Sequence, residues 1–282
     1  MYPFYKAIAE QAGLTVYGSL PPVPEAEIPD RHLGLVTAQE IGDLQRRLDL
    51  LADAAEEGLE LDGLLALAHT APPRADESAP PMPVADRPVR IAVARDRAFC
   101  FYYADNFDVL RALGAELVEF SPVEDEKLPE HIDGLYLGGG YPELYAEQLA
   151  ANRTMRESIR AAVQGGLPAI AECGGFLYLH RTLDGAEMAG VIDADAHMTK
   201  KLQPFGYVTL TAGRDNLLCR AGGTIRAHEF HYAQSGDNGS AFRAEKPNGR
   251  AWDCVHATET LYAGFPHLYF RANPAFAQRF VR

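Results

Sequence analysis

The sequence lacks any uninterrupted apolar stretch of the roughly 18 to 20 residues that a membrane-spanning helix requires. Its first ten residues contain no basic segment followed by an apolar one, so we expect no signal peptide. Lys and Arg are scarce relative to Asp and Glu, 26 against 39, and the formal net charge is −13. Nucleic acids and anionic membranes bind clustered positive charge, so this composition argues against both as partners.

Cysteine is rare as well, and its spacing is typical of neither a zinc site nor a disulfide framework. No CxxC pair occurs among the four cysteines, which are Cys100, Cys173, Cys219 and Cys254. We therefore expect reduced thiols, a cytoplasmic location and no metal ligands. The 282 residues, 47% of them hydrophobic, are enough to bury the core of one large domain or two smaller ones.

The chain is predicted to have three parts, 1–71, 72–88 and 89–282. The first part is predicted to contain helical pieces around one short strand, the strand lying in "GLTVYGSLPPVP" (13–24). Thr37 and Glu40 have capping-box spacing and predict a helix that ends near Gly58. The second part is rich in Pro, Ala and charge, which is typical of an interdomain linker.

In 89–282, short apolar strands alternate with helices. The strands are "VRIAVA", "AELVEF", "DGLYLGGG" and "PAIAE", and we expect Asp105 or Asn106 to cap one helix and Asn152 another. This order predicts an α/β fold with a mostly parallel sheet and helices on both faces. Beyond Asp193, runs such as "FGYVTL" and "GTIRAHEFHYA" predict antiparallel strands.

The stretch "AIAECGGFLYL" (169–179) places Cys173 directly after a predicted strand and before a glycine pair. Gly174 and Gly175 let the backbone turn sharply there, which predicts a thiol exposed at the tip of a strand-to-helix turn. The N–H groups of the following helix favour a thiolate and could hold an oxyanion. The alternative is a buried structural cysteine. The other three cysteines are interpreted as ordinary thiols.

A second glycine-rich loop and several histidines could complete such a site. "LYLGGGYPELY" (135–145) ends a neighbouring strand in glycines, whose amides could face a substrate oxygen. A cysteine nucleophile also needs a base, and His228, His231 and His267 all remain candidates. His228 and His231 flank Glu229, but no third metal ligand is evident and strand spacing would point the two rings to opposite faces. A structural or substrate-contact role is favoured for that pair.

The motifs from Val89 to the C-terminus include "GLYLGGGYPELY", "AIAECGGFLYL", "HEFHYA" and "HLYFRANPAFAQRFV". Together they resemble the glutaminase domain of the cobyrinate a,c-diamide synthase family. The earlier stretch 14–41 resembles the tail of that family's ATP-dependent synthetase domain. The resemblance implies a class I glutamine amidotransferase-like (flavodoxin-like) fold for 89–282, preceded by a small helical remnant of the synthetase domain.

The same resemblance implies roles for individual residues. Cys173 would be the nucleophile that attacks the side-chain amide of glutamine, and His267 would be its base. Gly139 and Gly140, with the amide of Gly174, would form the oxyanion hole. Many class I enzymes carry a glutamate two positions after the histidine, but Tyr269 occupies that position here. We therefore predict a Cys–His pair without a carboxylate in that role.

In this family, ammonia passes to a domain that uses ATP and magnesium to amidate the a and c acetates of a corrin precursor. No GxxxxGK[ST] phosphate loop occurs in this sequence. We therefore expect the chain to be the C-terminal part of a synthase, without a cofactor of its own. Expected partners are glutamine and, through a synthetase domain, a cobyrinate-like tetrapyrrole. Nothing in these residues selects the tetrapyrrole, and the sequence is compatible with a homodimer.

Two other functions fit parts of the sequence. The chain could be a different cysteine hydrolase on the same fold, or a non-catalytic binding module that lacks the ATP domain. We also expect the aromatic loop 99–103 and the segment before residue 70 to face the synthetase domain, because exposed aromatic stretches often mark interfaces. The alternative is that these rings pack in the core of the glutaminase domain.

Overall fold

The computed structural model describes residues 2–31, 34–36, 38–73 and 87–282. The chain divides into two compact units, Met1–Pro80 and Pro81–Arg282. The boundary falls in the stretch predicted to be a linker, most of which lies outside the described residues. In the described ranges no helix is both long enough and apolar enough to cross a membrane.

The N-terminal unit consists of short elements that bury little of their surface. Its helices are α1 (Tyr2–Gln11), α2 (Leu44–Gly58) and α3 (Leu61–Ala68), and strands β1 (Asp30–Arg31) and β2 (Gly34–Leu35) pair antiparallel. None of the described residues in the three helices is buried. The apolar faces of these helices are therefore left largely uncovered by the described residues.

The strand predicted in 13–24 is wrong. The only strand-like pairing in this stretch is an isolated bridge between Gly18 and Leu59, and residues 24–26 form a 3₁₀ turn. The physical reason is the run of prolines, Pro21, Pro22 and Pro24, which cannot donate hydrogen bonds to a ladder.

The helix predicted from the capping-box spacing ends at Gly58 as expected but begins later, at Leu44. Residues 38–40 form a separate 3₁₀ turn, and Thr37 lies outside the described residues. Gly42 lies between the turn and α2, and glycine disfavours a continuous helix.

The C-terminal unit alternates helices and strands in its first half and contains mostly strands in its second. Its helices are α4 (Ala104–Ala112), α5 (Ala146–Ala151), α6 (Arg153–Gln164), α7 (Gly174–Tyr178) and α8 (Pro274–Phe280). Its strands are β3 (Val89–Ala94), β4 (Phe99–Phe101), β5 (Ala115–Phe120), β6 (Gly134–Leu137), β7 (Gly139–Gly140), β8 (Ala169–Glu172), β9 (Thr182–Leu183), β10 (Ala186–Glu187), β11 (Asp195–Met198), β12 (Gly206–Ala212), β13 (Thr224–Glu229), β14 (Ala233–Ser235), β15 (Phe242–Glu245), β16 (Ala251–Cys254), β17 (His256–Ala257), β18 (Leu261–Gly264) and β19 (His267–Leu268).

The central sheet has the order β17–β18–β8–β6–β3–β5, and all of its pairs are parallel except β17–β18. Alternate residues of its strands belong to two separate apolar cores. Ile91 and Tyr136 pack with residues of α4 and α8, whereas Leu135 and Ala171 pack with residues of α6. Both faces of the sheet are therefore covered, as the apolar strands predicted.

A second sheet, of order β16–β15–β12–β13–β19, is antiparallel throughout, as predicted from the runs beyond residue 193. Its last strand carries His267. A short antiparallel pair, β4 with β7, joins the aromatic loop to the glycine loop. A further sheet has the order β10–β9–β11–β14. These additions bring distant segments to the carboxyl edge of the parallel sheet, where α/β proteins bind ligands.

One of the predicted helix caps is correct and the other is wrong. The side chain of Asn152 accepts a hydrogen bond from the N–H of Met155 and caps α6. Asp105 and Asn106 instead lie inside α4, whose N-cap position is Tyr103. Asn106 is fully buried because its side chain binds the backbone of the C-terminal segment, at Leu268 O and Phe270 N.

Candidate active site

Cys173 lies at the turn between β8 and α7, where the sequence predicted it. Its backbone has φ 49° and ψ −101°, a conformation that residues with a Cβ rarely adopt. The N–H of Cys173 donates to the carbonyl oxygen of Gly264 at 2.9 Å, which ties the turn to the end of β18. A strained turn held by neighbouring elements is typical of a functional position.

The glycine pair behind the cysteine is explained by the contact between α7 and the end of β6. A Cβ at Gly175 would come within 2.2 Å of the carbonyl oxygen of Leu137. The N–H of Gly175 donates to the carbonyl oxygen of Gly138 at 2.8 Å. Only a residue without a side chain allows this approach, so Gly175 sets how closely α7 packs on the sheet.

His267 is the candidate base that the structure brings to Cys173. It lies on β19, close enough to Cys173 for that side chain to be one of the groups that raise the pKa of its ring. His228 lies opposite it on β13. His231 lies farther along, where its ring stacks on Phe265 with centroids 3.7 Å apart. The sequence pattern left these three histidines undecided.

Glu172 is the residue of the site that sequence reasoning missed. One of its carboxylate oxygens lies 3.7 Å from His267 Nδ1, and the side chain is only 2% exposed. That same oxygen accepts from the hydroxyl of Tyr136 at 2.9 Å, and the other accepts from the N–H of Leu268 at 2.9 Å. These contacts hold the carboxylate beside the imidazole.

The predicted pair without a carboxylate is therefore corrected to a Cys173–His267–Glu172 arrangement. Tyr269 occupies the position two residues after the histidine, as the sequence showed. Its hydroxyl donates a hydrogen bond to the Asp105 carboxylate at 2.7 Å. A charged residue ending the otherwise apolar strand "PAIAE" was the signal available in the sequence. A buried carboxylate at a strand end needs a partner, and here that partner includes the histidine.

The charges around His267 favour its protonated form. Burial by itself lowers the pKa of the imidazole. The nearby side chains of Cys173 and Glu172, with the negative charges of both, outweigh burial and raise the pKa to about 10. At neutral pH the ring is therefore an imidazolium and can give a proton to a leaving group.

The prediction of an exposed thiol is wrong. Cys173 is only 6% exposed and His267 only 5%. The aromatic loop covers the neighbouring histidine, because its Phe101 ring meets the imidazole edge-on with centroids 4.8 Å apart. Phe99 of the same loop is fully buried, whereas Phe101 is 45% exposed. The loop thus contributes both to the core and to the surface, and the partner predicted for its exposed side stays a prediction.

The three glycines predicted to form an oxyanion hole lie around the Cys173–His267 pair. A Cβ at Gly174 would come 3.0 Å from the amide nitrogen of Gly140. Gly140 has φ +152° and lies against the backbone of Ala98. A Cβ at Gly139 would lie 2.5 Å from Cε1 of His267. Their positions suit amide donors near the sulfur, and the oxyanion role itself stays a prediction.

We expect Gly139→Ala to slow turnover about 10- to 100-fold, because its methyl group would displace the imidazole or the glycine loop. Initial rates of glutamine hydrolysis, with thermal unfolding as a check on folding, measure this. Gly213→Ala is the matched control, because a Cβ there would meet only the carbonyl oxygen of Ala241 at an ordinary 3.5 Å. A Gly139→Ala variant as fast as wild type would contradict the close packing described here.

The family is identified by a sequence match that covers most of the C-terminal unit. The family model of the CobB/CobQ-like glutamine amidotransferase domain matches residues 90–275. The chain belongs to the CobB/CobQ-like glutamine amidotransferase family. The resemblance from the sequence motifs is thereby confirmed. For this amidotransferase, the Cys173–His267 geometry lies inside the matched region.

The amidotransferase is also similar to longer proteins. The cobyrinate a,c-diamide synthase of Picrophilus torridus is 39% identical over 281 residues, which cover 98% of this chain and 62% of that protein. The synthase of Caldanaerobacter subterraneus subsp. tengcongensis is 37% identical over 289 residues, covering 99% and 64%. The chain thus spans less than two thirds of the length of these relatives.

Solved structures confirm the fold. The structure of PurLQS from Thermotoga maritima matches with a TM-score of 0.50 and 17% identity, covering 68% of this chain and 95% of that chain. At this identity the match shows the fold alone. The class I glutamine amidotransferase-like sheet, predicted for 89–282, is therefore the fold of the C-terminal unit.

Proposed function

We propose that this chain is the glutaminase portion of a cobyrinate a,c-diamide synthase. The observation that carries the proposal is the juxtaposition of Cys173, on a strained turn, with His267, whose imidazole also lies 3.7 Å from Glu172. The names of the relatives support the choice of the larger enzyme. A Cys–His pair of this geometry is suited to acyl transfer from an amide.

In the proposed mechanism the Cys173 sulfur attacks the side-chain carbonyl carbon of glutamine. The negative charge that develops on the carbonyl oxygen is stabilised by the backbone amides of Gly139, Gly140 and Gly174. The imidazolium of His267 protonates the leaving nitrogen, so ammonia departs and a thioester remains on Cys173. Neutral His267 then takes a proton from water, which attacks the thioester and releases glutamate.

Glu172 is a positioning residue in this scheme, because it acts on glutamine only through the imidazole. Replacing it by Gln removes the negative charge, so the pKa of His267 should fall from about 10. We expect the loss of kcat/KM at high pH to begin near pH 10 in wild type and at a lower pH in Glu172→Gln. The pH profile of glutamate release measures this shift.

The pH profile distinguishes an electrostatic role of Glu172 from a purely structural one. A structural role would lower the rate at every pH and leave the basic limb in place, which would contradict the assignment. Glu119→Gln is the control, because this carboxylate is 61% exposed and pairs with Arg95 on the surface. Glu119→Gln should change neither the rate nor the pH at which the basic limb of the profile begins.

We propose that the released ammonia serves an ATP-dependent synthetase domain that amidates the a and c carboxylates of a cobyrinate-like tetrapyrrole. ATP and Mg²⁺ would be bound by that domain. The residues of this chain do not fit an ATP site, because the sequence has no phosphate loop. The described residues also hold no group of three or more His, Cys, Asp or Glu side chains arranged for a metal.

We propose the cytoplasm as the location of the enzyme, because Cys173, Cys219 and Cys254 are all reduced thiols. Burial raises the pKa of both the Cys219 and the Cys254 thiols. These two thiols are therefore protonated and unreactive at neutral pH, as ordinary cysteines should be.

The test of the proposed function is glutamate release from L-glutamine by the chain, alone and with the synthetase domain of a relative added. We expect hydrolysis of glutamine, and faster hydrolysis when the added domain has ATP and a cobyrinate-like acceptor. Cleavage of peptides or esters without glutamine hydrolysis would favour a different cysteine hydrolase. Binding of the synthetase domain without any hydrolysis would favour a non-catalytic module.

A further inference from the structure

A second cavity, of about 520 Å³, is lined by Glu229 and His231 and by residues outside the Cys173 site. Both residues come from the motif "HEFHY", which the proposed glutaminase mechanism does not use. His228 of the same motif lines a different cavity, of about 680 Å³, beside Tyr103 and Tyr269. The two histidines thus face separate spaces, as strand spacing predicted. Of these two cavities, only the one of about 520 Å³ is lined by a buried carboxylate.

Glu229 is a buried carboxylate without a full set of partners. Its side chain is 2% exposed, and its Oε1 atom has no hydrogen-bond partner. Its Oε2 atom lies 3.6 Å from Nε2 of His231, longer than a hydrogen bond. In the described part of the chain no Lys or Arg forms an ion pair with it. A buried carboxylate in this state is costly unless a donor or a cation joins it.

The ring of His231 faces the same space with a second acceptor. Its Nδ1 atom lies 2.9 Å from the carbonyl oxygen of Ala233, and a carbonyl can only accept, so Nδ1 carries the proton. In the tautomer with its proton on Nδ1, Nε2 is an acceptor, and it has no hydrogen-bond partner either. Stacking on Phe265, with ring planes 3° apart, fixes the direction of this nitrogen.

The spacing of these two acceptors suits one shared donor. Atoms 3.6 Å apart can both lie about 2.9 Å from a single nitrogen placed beside them. Arg250 lines the same cavity, but its guanidinium lies over the Trp252 ring and forms no ion pair with Glu229 in the described part of the chain. Burial raises the pKa of the Cys254 thiol and of the Tyr262 hydroxyl, and the Glu229 carboxylate adds to both effects, so both groups are neutral.

We propose that this cavity binds an ammonium group between Glu229 and His231. An ammonium group carries the positive charge that the carboxylate lacks and donates hydrogen bonds to both acceptors at once. The group would be either free ammonium or the amino group of an amino acid, and the cavity has room for the latter. The choice between these two sources rests on the proposed function, in which ammonia and glutamine both take part. The binding of an ammonium group does not depend on the proposed function.

Free ammonium is tested by thermal unfolding of the full chain at constant ionic strength, with KCl replaced stepwise by NH₄Cl. Potassium is close to ammonium in size but donates no hydrogen bond. We expect near-saturating ammonium to raise Tm by about 2 to 4 °C relative to potassium. Equal Tm values in the two salts, as a water molecule between the acceptors would give, overturn the free-ammonium source. This comparison needs no variant, so it does not depend on whether a substituted protein folds.

The amino-acid source is tested by calorimetric titration of Cys173→Ser, which cannot turn glutamine over. Besides binding at position 173, L-glutamine should show a second binding event that N-acetyl-L-glutamine, which has no ammonium group, lacks; adding Glu229→Gln to this background should weaken that second event about 10- to 100-fold and leave N-acetyl-L-glutamine unaffected. Glu245→Gln on β15, an exposed carboxylate, is the matched control. It should change neither affinity.

The outcomes separate this inference from the proposed function. An ammonium-specific rise in Tm that Glu229→Gln abolishes supports free ammonium, and selective loss of glutamine affinity supports the amino-acid source. If ammonium and potassium act alike and Glu229→Gln changes no affinity, the ammonium site is wrong. Wild-type glutaminase activity in that case would leave the proposed function intact. If the chain binds ammonium but has no glutaminase activity, the proposed function is wrong and the ammonium site remains.

Discussion

Replacement of Cys173 by Ala is expected to slow glutamine hydrolysis by roughly 10⁴- to 10⁶-fold. The substitution removes the only atom in the proposed mechanism that can form the covalent intermediate. Cys173 is almost fully buried at a turn with positive φ, so alanine takes over the same backbone conformation and fills most of the same space. Rates of glutamate release measure the effect, and circular dichroism confirms that the fold is kept.

The matched control for this loss is Cys219→Ala. Cys219 is also buried, and its sulfur accepts a hydrogen bond from the side-chain amide of Asn216 at 3.4 Å. We expect this variant to keep the activity of the wild type at a modest cost in stability. Comparable activity in Cys173→Ala and Cys219→Ala would remove Cys173 from the mechanism.

Replacement of His267 by Asn is expected to reduce hydrolysis by about 10³-fold or more. Without the imidazole, nothing protonates the departing ammonia or takes a proton from the attacking water. Asn keeps part of the buried volume and a polar group beside Glu172, so we expect the fold to persist. His228→Asn, at the paired position of the neighbouring strand, is the control and should retain most of the activity.

Combining the two active-site substitutions tests whether the residues act as a unit. If Cys173 and His267 act in one proton transfer, the double variant should be no slower than Cys173→Ala alone. Losses that multiply would indicate that the two side chains contribute independently. That result would contradict the cooperation of Cys173 and His267 on which the mechanism depends.

The parallel sheet was predictable from sequence because its strands are short apolar runs that alternate with helices. The position of Cys173 was predictable for a related reason, since a glycine pair directly after a strand favours a sharp turn. Features that depend on contacts between residues far apart in the sequence were not predictable. Asn106 has the composition of a helix cap, yet its side chain binds the backbone at Leu268 and Phe270, more than 160 positions away.

The choice of histidine and the carboxylate beside it depended on contacts that no local pattern encodes. β19 is only two residues long, and its pairing with β13 is what brings His267 to the edge of the sheet. Glu172 was overlooked because the expected carboxylate was sought after the histidine instead of before the cysteine. The burial of Cys173 was missed because the aromatic loop that covers the site is joined to it through the β4–β7 pair.

The most direct test of the central claim is labelling of the full chain with a glutamine-analogue chloroketone, followed by peptide mass spectrometry. The account predicts one label per chain, on Cys173, with protection by L-glutamine and with loss of glutaminase activity in proportion to labelling. Label on another cysteine, or full glutamine hydrolysis after Cys173 is completely modified, would contradict it.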